Sequence, residues 1–279
     1  MVSVMQTEQL SALPAMMSDM PHEPTAQRPL VGRADELDRL SELVGLVRPS
    51  AGPKPDPPGV VLLAGDAGVG KTRLLAELRD TAIAAGWRVI IGHCLDFGDT
   101  ALPYLPFSEA FGRLAVESPA LASSLVTTTP GIARLMPQRR MLSGSDSVEA
   151  PPGSDLDVES GAPMGAGAMD RSELFEAVHS ALETLAQNAP LLILFEDAHW
   201  ADQSTRELLS FLFSRRFGEP VAIVTSYRSD DLHRRHPLRT TVAEWGRLPG
   251  VTRLQLRPLG EADVRELVRV LHPAPLAEA

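Results

Sequence analysis

Residues 60–75 read VVLLAGDAGVGKTRLL, and the fold turns on how this stretch is parsed. The apolar, β-branched run at 60–64 has the length and content of a strand buried on both faces. Gly65-Asp66-Ala67-Gly68-Val69-Gly70-Lys71-Thr72 then fits G-x-x-x-x-G-K-[ST], and Leu74 and Leu75 open a helical pattern behind it. Strand, loop and helix follow in the order that phosphate binding needs. The glycines let the backbone bend back so that successive N–H groups surround a phosphate, and the helix N-terminus adds partial positive charge. The nucleotide-binding residues are then Gly65, Asp66, Ala67, Gly68, Val69, Gly70, Lys71, Thr72 and the adjoining Arg73. Lys71 is expected to reach the β- and γ-phosphates and the Thr72 hydroxyl to ligate Mg2+. Of 26 basic residues only Lys54 and Lys71 are lysines, which makes the position of Lys71 informative. Lys54 falls in a proline-rich stretch at 48–59 and reads as a solvated surface charge.

Working outward, four more apolar runs, at 88–94, 191–195, 221–226 and 252–256, read as buried strands. Helical patterns lie between them at 72–85, 171–187, 203–216 and about 237–245. Alternation of this kind implies βαβ units, right-handed crossovers and a parallel sheet covered by helices. Before the first strand, Leu37, Leu40, Leu43 and Val44 form an amphipathic helix behind Asp35 and Glu36, acids that suit a helix N-terminus. No period is visible in residues 1–28, which read as a disordered tail. Residues 143–169 hold Asp146, Glu149, Asp155, Asp157 and Glu159 with no basic residue, and read as a flexible acidic insertion.

Hydrolysis needs an acid on a second strand to hold Mg2+ and a group to orient water for in-line attack. The run Leu191-Leu192-Ile193-Leu194-Phe195-Glu196-Asp197 ends in two acids. Counting from the strand puts Glu196 on the Mg2+ side and Asp197 in the water-activating position, although a one-residue shift exchanges them. Asp202 is expected to cap the helix carrying Leu208, Leu209 and Leu212, with His199 and Trp200 packed and hydrogen-bonded beneath the turn and carrying no chemistry. His93-Cys94 lacks the spaced companions of a zinc site. His233 and His236, with Arg234, Arg235 and Arg239, read as a solvated face.

Composition excludes other classes. Of 279 residues, 44% are hydrophobic and 22% charged, as in a globular chain able to build a core. The formal charge of -10 opposes sequence-independent attraction to nucleic acid or an anionic membrane, although half of it belongs to the acidic insertion. A single cysteine excludes an internal disulfide, and there is no apolar run of about 18 residues for a membrane span. A cytoplasmic location is expected.

Phe195-Glu196-Asp197-Ala198-His199-Trp200-Ala201-Asp202, with Leu30-Val31-Gly32-Arg33, the glycine loop, Leu102-Pro103-Tyr104-Leu105-Pro106-Phe107 and Thr225-Ser226-Tyr227-Arg228, resembles the ATPase module of large LuxR-type bacterial transcriptional regulators. That module belongs to the STAND branch of AAA-like P-loop ATPases and is similar to origin-recognition-complex-like domains. The resemblance covers about residues 30–271. It implies a three-layer P-loop NTPase sandwich with a five-stranded parallel sheet ordered 5-1-4-3-2. It further implies that Arg228, or less readily Thr225, senses the γ-phosphate, and that Arg33 lies beside adenine or ribose. The residues themselves leave open that Arg228 is a surface charge and Arg33 an ordinary helix-start arginine; Pro258 reads as a turn proline.

The expected organisation is a tail at 1–28, an ATPase domain at 29–258, and at 259–279 the start of a truncated helical lid. A nucleotide-dependent switch follows: ATP and Mg2+ bind, hydrolysis is slow, and ATP or ADP governs contacts with protein partners or other copies of the module. Direct nucleic-acid binding is not expected. A non-hydrolysing nucleotide-bound interaction module is the alternative, and a DNA-processing ATPase a more distant one.

Overall fold

Five parallel strands, β1 (Val60–Gly65), β2 (Arg88–His93), β3 (Leu191–Glu196), β4 (Val221–Arg228) and β5 (Val251–Gln255), form one sheet. The computed structural model describes residues 29–47, 59–96, 98, 102–136, 171–232 and 236–271. The sheet order is β2-β3-β4-β1-β5, the expected 5-1-4-3-2 read from the other edge. β4 therefore separates the glycine-loop strand from the strand bearing the two acids. In register, Gly65 pairs with Arg228 and His93 with Glu196, so these residues gather at the C-terminal edge of the sheet. In an open α/β sheet the crevice outside that edge is where ligands bind.

Strand side chains alternate between two buried faces. Val61, Leu63, Leu192, Leu194 and Val224 pack under α1 (Ala34–Leu43) and α2 (Lys71–Ala84). Leu62, Ala64, Ile193, Phe195 and Ile223 face the other way, toward α3 (Leu105–Glu117), α4 (Pro119–Thr128), α5 (Arg171–Ala186), α6 (Gln203–Ser214) and α7 (Pro237–Trp245). Both sides are apolar because both are covered, which is why the strands read as continuous hydrophobic runs. A final helix, α8 (Glu261–Leu271), buries none of its residues fully.

The strands and most helices lie within a residue or two of expectation, with three informative differences. β4 continues to Arg228, which leaves Thr225 inside the sheet, fully buried and with no hydrogen bond to its hydroxyl. β2 ends at His93, although Cys94 N–H still donates to the Glu196 carbonyl at 2.9 Å. α3 and α4, with a 3-10 turn at Pro130–Arg134, occupy a stretch for which no helix was expected. The expected tail at 1–28 and the whole of the acidic insertion at 143–169, like Lys54, His233, Arg234 and Arg235, lie outside the described residues.

Packing places α3 close against β2. A methyl group on Gly92 would come within 2.1 Å of the Pro106 carbonyl oxygen, so glycine is what lets the helix start there. Glu109 is thereby brought over the end of β2, where it accepts from His93 N–H at 2.7 Å and from His93 Nδ1 at 2.9 Å.

Candidate functional site

The glycine loop leaves β1 and enters α2 through Gly68 and Gly70, at φ 72° and 101°. Other residues disfavour that region, and a Cβ at either position would meet nothing within 4 Å, so it is the backbone conformation and not a lack of space that calls for glycine there. Lys71 is buried and its Nζ donates to the carbonyls of Gly65 and Asp66, both at 2.9 Å. Desolvation pushes the Lys71 ammonium below its ordinary range, against the raising charges of Asp197, Asp230 and Asp66. Those contacts hold a cation at the mouth of a loop of N–H donors, an arrangement complementary to phosphate.

Thr72 Oγ1 donates to Glu196 Oε2 at 2.8 Å. Burial pushes the Glu196 carboxyl up, while the Thr72 hydrogen bond and the His93 charge work against it. A hydroxyl and a carboxylate are hard oxygen donors, suited to Mg2+ that takes its other ligands from phosphate and water. Among the described residues no cluster of three or more His, Cys, Asp or Glu is built to hold a metal alone.

Asp197 follows with a left-handed backbone, φ 57°, and its N–H donates to Ser226 Oγ on β4 at 3.1 Å. Its side chain is 41% exposed at the crevice. Arg228 ends β4 and lies 3.6 Å from Asp231. Asp202 caps α6 as expected, accepting from Thr205 N–H at 3.1 Å.

His199 and Trp200 differ from expectation. The His199 ring is buried with neither nitrogen hydrogen-bonded, and lies 3.8 Å from Asp197 and 3.7 Å from Asp231. Desolvation pushes its pKa down. Trp200 is not packed away but 42% exposed. His236 has a local role, capping α7 by accepting from Leu238 N–H at 3.1 Å.

Arg33 is 5% exposed and fully engaged: it donates to Glu36, to the Val69 carbonyl at 3.1 Å and to the Arg257 carbonyl at 2.6 Å. It ties the N-terminal segment to the glycine loop and to the chain after β5. Beside it is a cavity of about 230 Å3 lined by Leu30, Val31 and Val69 and by Leu267, Val270 and Leu271 of α8. Arg73 reaches this wall and pairs with Glu77 at 2.9 Å. Sequence reasoning did not assemble this cavity, because its walls are far apart in the chain and meet only through the β1–β5 pairing. A charged loop thus adjoins an apolar pocket, a combination that suits the phosphates and base of a nucleotide.

Residues 29–224 match the AAA ATPase domain family. The chain belongs to that family. As an AAA ATPase domain it is a nucleotide-binding ATPase module with the α/β P-loop NTPase fold. It is 27% identical over 252 residues to an uncharacterized protein of Rhizobium meliloti (strain 1021), a match covering 88% of this chain. The chain spans 22% of that relative's length. Among solved structures it is similar to a STAND protein with a tetratricopeptide repeat sensor from Pyrococcus horikoshii, at TM-score 0.43 and 18% identity, covering 92% of this chain and 28% of that one. It is also similar to AMPPCP-bound DnaA from Aquifex aeolicus, at TM-score 0.39 and 13% identity, covering 88% and 53%. The DNA-bound Drosophila ORC structure matches at TM-score 0.40 and 16% identity, covering 85% and 45%. No helix among the described residues is long and apolar enough to cross a membrane.

Proposed function

We propose that this AAA ATPase domain binds Mg-ATP, hydrolyses it slowly, and acts as a nucleotide-dependent switch in a larger cytoplasmic signalling or transcriptional regulator of the LuxR type. The observation that carries the reading is the meeting of the glycine loop, Lys71, Thr72, Glu196, Asp197 and Arg228 at one edge of the sheet.

In this reading the base enters the cavity between Leu30, Val31 and α8, beside Arg33, which lines that cavity and is held there by the Val69 and Arg257 carbonyls. The N–H groups of residues 67–72 receive the phosphates, and Lys71 exchanges its carbonyl partners for the β- and γ-oxygens. Thr72 and Glu196 hold Mg2+, which when bound neutralises charge on the phosphate oxygens. Asp197 orients and deprotonates the attacking water, a role supported by the exposure of its side chain and by its charge acting on Lys71. Arg228 senses the terminal phosphate by leaving Asp231 for it. Slow turnover is in keeping with the exposure of Asp197, where bulk water competes with an oriented one.

The switch works through α8. Leu267, Val270 and Leu271 wall the cavity although α8 is poorly buried, so an occupied cavity gives the helix a surface to pack on. Protein partners or other copies of the module then read the position of the helix. A second reading, a module that holds nucleotide and hardly hydrolyses it, is supported by the pairing of Arg228 with Asp231.

The test is to identify the nucleotide retained on purification and to measure turnover with and without Mg2+. Retained ATP or ADP with Mg2+-dependent turnover supports the switch. Retention with negligible turnover favours the second reading, and neither retention nor turnover contradicts both.

A further inference from the structure

The chain leaving β4 turns onto the glycine loop. Ser229 N–H donates to the Gly65 carbonyl at 3.2 Å, and Ser229 Oγ donates to Asp66 Oδ1 at 2.8 Å. Gln255 Nε2, at the end of β5, donates to Ser229 Oγ at 3.3 Å. These contacts carry the next residue over the loop, where Asp230 Oδ2 accepts from Ala67 N–H at 3.3 Å. An anion of this chain therefore occupies a main-chain donor in a loop whose donors suit phosphate.

The location distinguishes one phosphate from another. The main-chain N–H groups at the start of α2, from Gly70 to Thr72, would face the inner phosphates in that reading, and the apolar cavity that would take the base lies on the β5 side. Asp230 approaches from β4, two residues beyond Arg228, and is close enough to act on the charge of Lys71, which in this motif reaches the outer phosphates. In the nucleotide-binding reading Asp230 would thus neighbour the terminal phosphate. Partial desolvation pushes its carboxyl up, but the N–H of Ala67, its own N–H, Arg228 and Lys71 outweigh that and hold it below the usual range. Arg228, the nearest arginine in sequence, pairs with Asp231 instead.

We propose that Asp230 is a specificity-determining residue of the nucleotide site: its carboxylate competes with the terminal phosphate for Ala67 N–H and repels it, so the site favours a nucleoside diphosphate over a triphosphate. A triphosphate that binds displaces residues 229 and 230 from the loop. A diphosphate leaves them in place. The inference rests on the nucleotide-binding reading above and adds to it which nucleotide is held at rest.

The test is titration of the full chain with ADP and with the non-hydrolysed analogue AMPPCP, both with Mg2+ at low ionic strength, in wild type, Asp230→Asn, Asp230→Ala and Asp230→Glu. Asn keeps an oxygen acceptor for Ala67 N–H and removes only the charge. The expected result is that Asn and Ala shift the ratio of the two affinities toward the triphosphate analogue by about two- to fivefold, the range for an exposed charge, while Glu leaves the ratio as in wild type. The shift should shrink in high salt. An unchanged ratio in Asp230→Asn, or equal tightening of both nucleotides, overturns the inference while leaving nucleotide binding intact. A wild type that binds neither nucleotide overturns the site and the inference with it.

Discussion

Thr72 Oγ1 donates a 2.8 Å hydrogen bond to Glu196 Oε2, joining the last residue of the glycine loop to the end of a strand two positions away in the sheet. In the proposed function this pair would hold Mg2+, and each residue is fixed from its own side: Thr72 by the first turn of α2 and Glu196 by β3. Thr72→Ala and Glu196→Gln should each raise the Mg2+ concentration needed for half-maximal turnover by about 10-fold or more, while nucleotide affinity measured in EDTA changes little. Acid should have a related effect. Glu196 must be ionised to hold a cation, and burial raises its pKa above the ordinary 4.5, so Mg2+-dependent nucleotide binding should fall on acidification at a higher pH than an ordinary glutamate would give. Thr72→Ala removes a donor that favours the ionised form and should move that fall to still higher pH.

Asp197→Asn should keep nucleotide affinity within about threefold of wild type and lower turnover by about 100-fold or more, the scale of a lost general base. The substitution is structurally mild. Asparagine tolerates the left-handed backbone at φ 57°, and the N–H bond to Ser226 Oγ does not involve the side chain. Single-turnover kinetics with saturating Mg-ATP separates the two quantities; undiminished turnover removes Asp197 from the water-activating role.

His93 and Glu109 should make stability depend on pH. The hydrogen bond to Glu109 raises His93 above its ordinary 6.5, and Glu109, despite desolvation pushing it up, is held below 4.5 by the same partner. Stabilisation from the raised histidine is fully present below pH 6.5 and is lost as pH rises through its folded-state value. Stabilisation from the lowered glutamate is present above 4.5 and is lost as pH falls through its folded-state value. Glu109→Gln should therefore lower the melting temperature most between about pH 5 and 6.5 and least in alkaline buffer. A deficit that is flat across pH would mean that Glu109 acts through packing alone.

Gly92→Ala should destabilise the domain by about 1–3 kcal/mol, because the added methyl meets the Pro106 backbone and not a side chain that can rotate away. Denaturant unfolding with an unchanged m-value measures it. A near-neutral result would show that α3 can shift from β2 at little cost.

The strands and the loop were legible because each carries its whole signal locally. A strand buried on both faces is a continuous apolar run, and the glycine loop lies between such a run and a helix with nothing inserted. The acids at 196 and 197 were legible for the same reason. α3 and α4 are less legible: Pro103, Pro106 and Pro119 interrupt the stretch, although Phe107, Ala110, Phe111 and Leu114 repeat at helical spacing and are all buried. With α3 unassigned, Glu109 had no route to His93.

Arg33 and Asp230 show a different limit. Which side chain an arginine or a carboxylate meets is decided by strand order, and order is not a local property. β4 beside β1 puts Asp230 over Ala67, 163 positions away in the chain. β1 beside β5 puts the Arg33 guanidinium against the Arg257 carbonyl and closes the apolar cavity with α8.

The most direct measurement of the central claim is calorimetric titration of Mg-ATP into wild type and Lys71→Ala, with circular dichroism on both. The account predicts saturable binding of one nucleotide per chain to the wild type, and affinity reduced by about 10- to 100-fold or lost in the variant, the scale of a charge-assisted hydrogen bond, with the fold intact. A folded Lys71→Ala that binds as tightly as the wild type, or a wild type that binds no nucleotide, would contradict it.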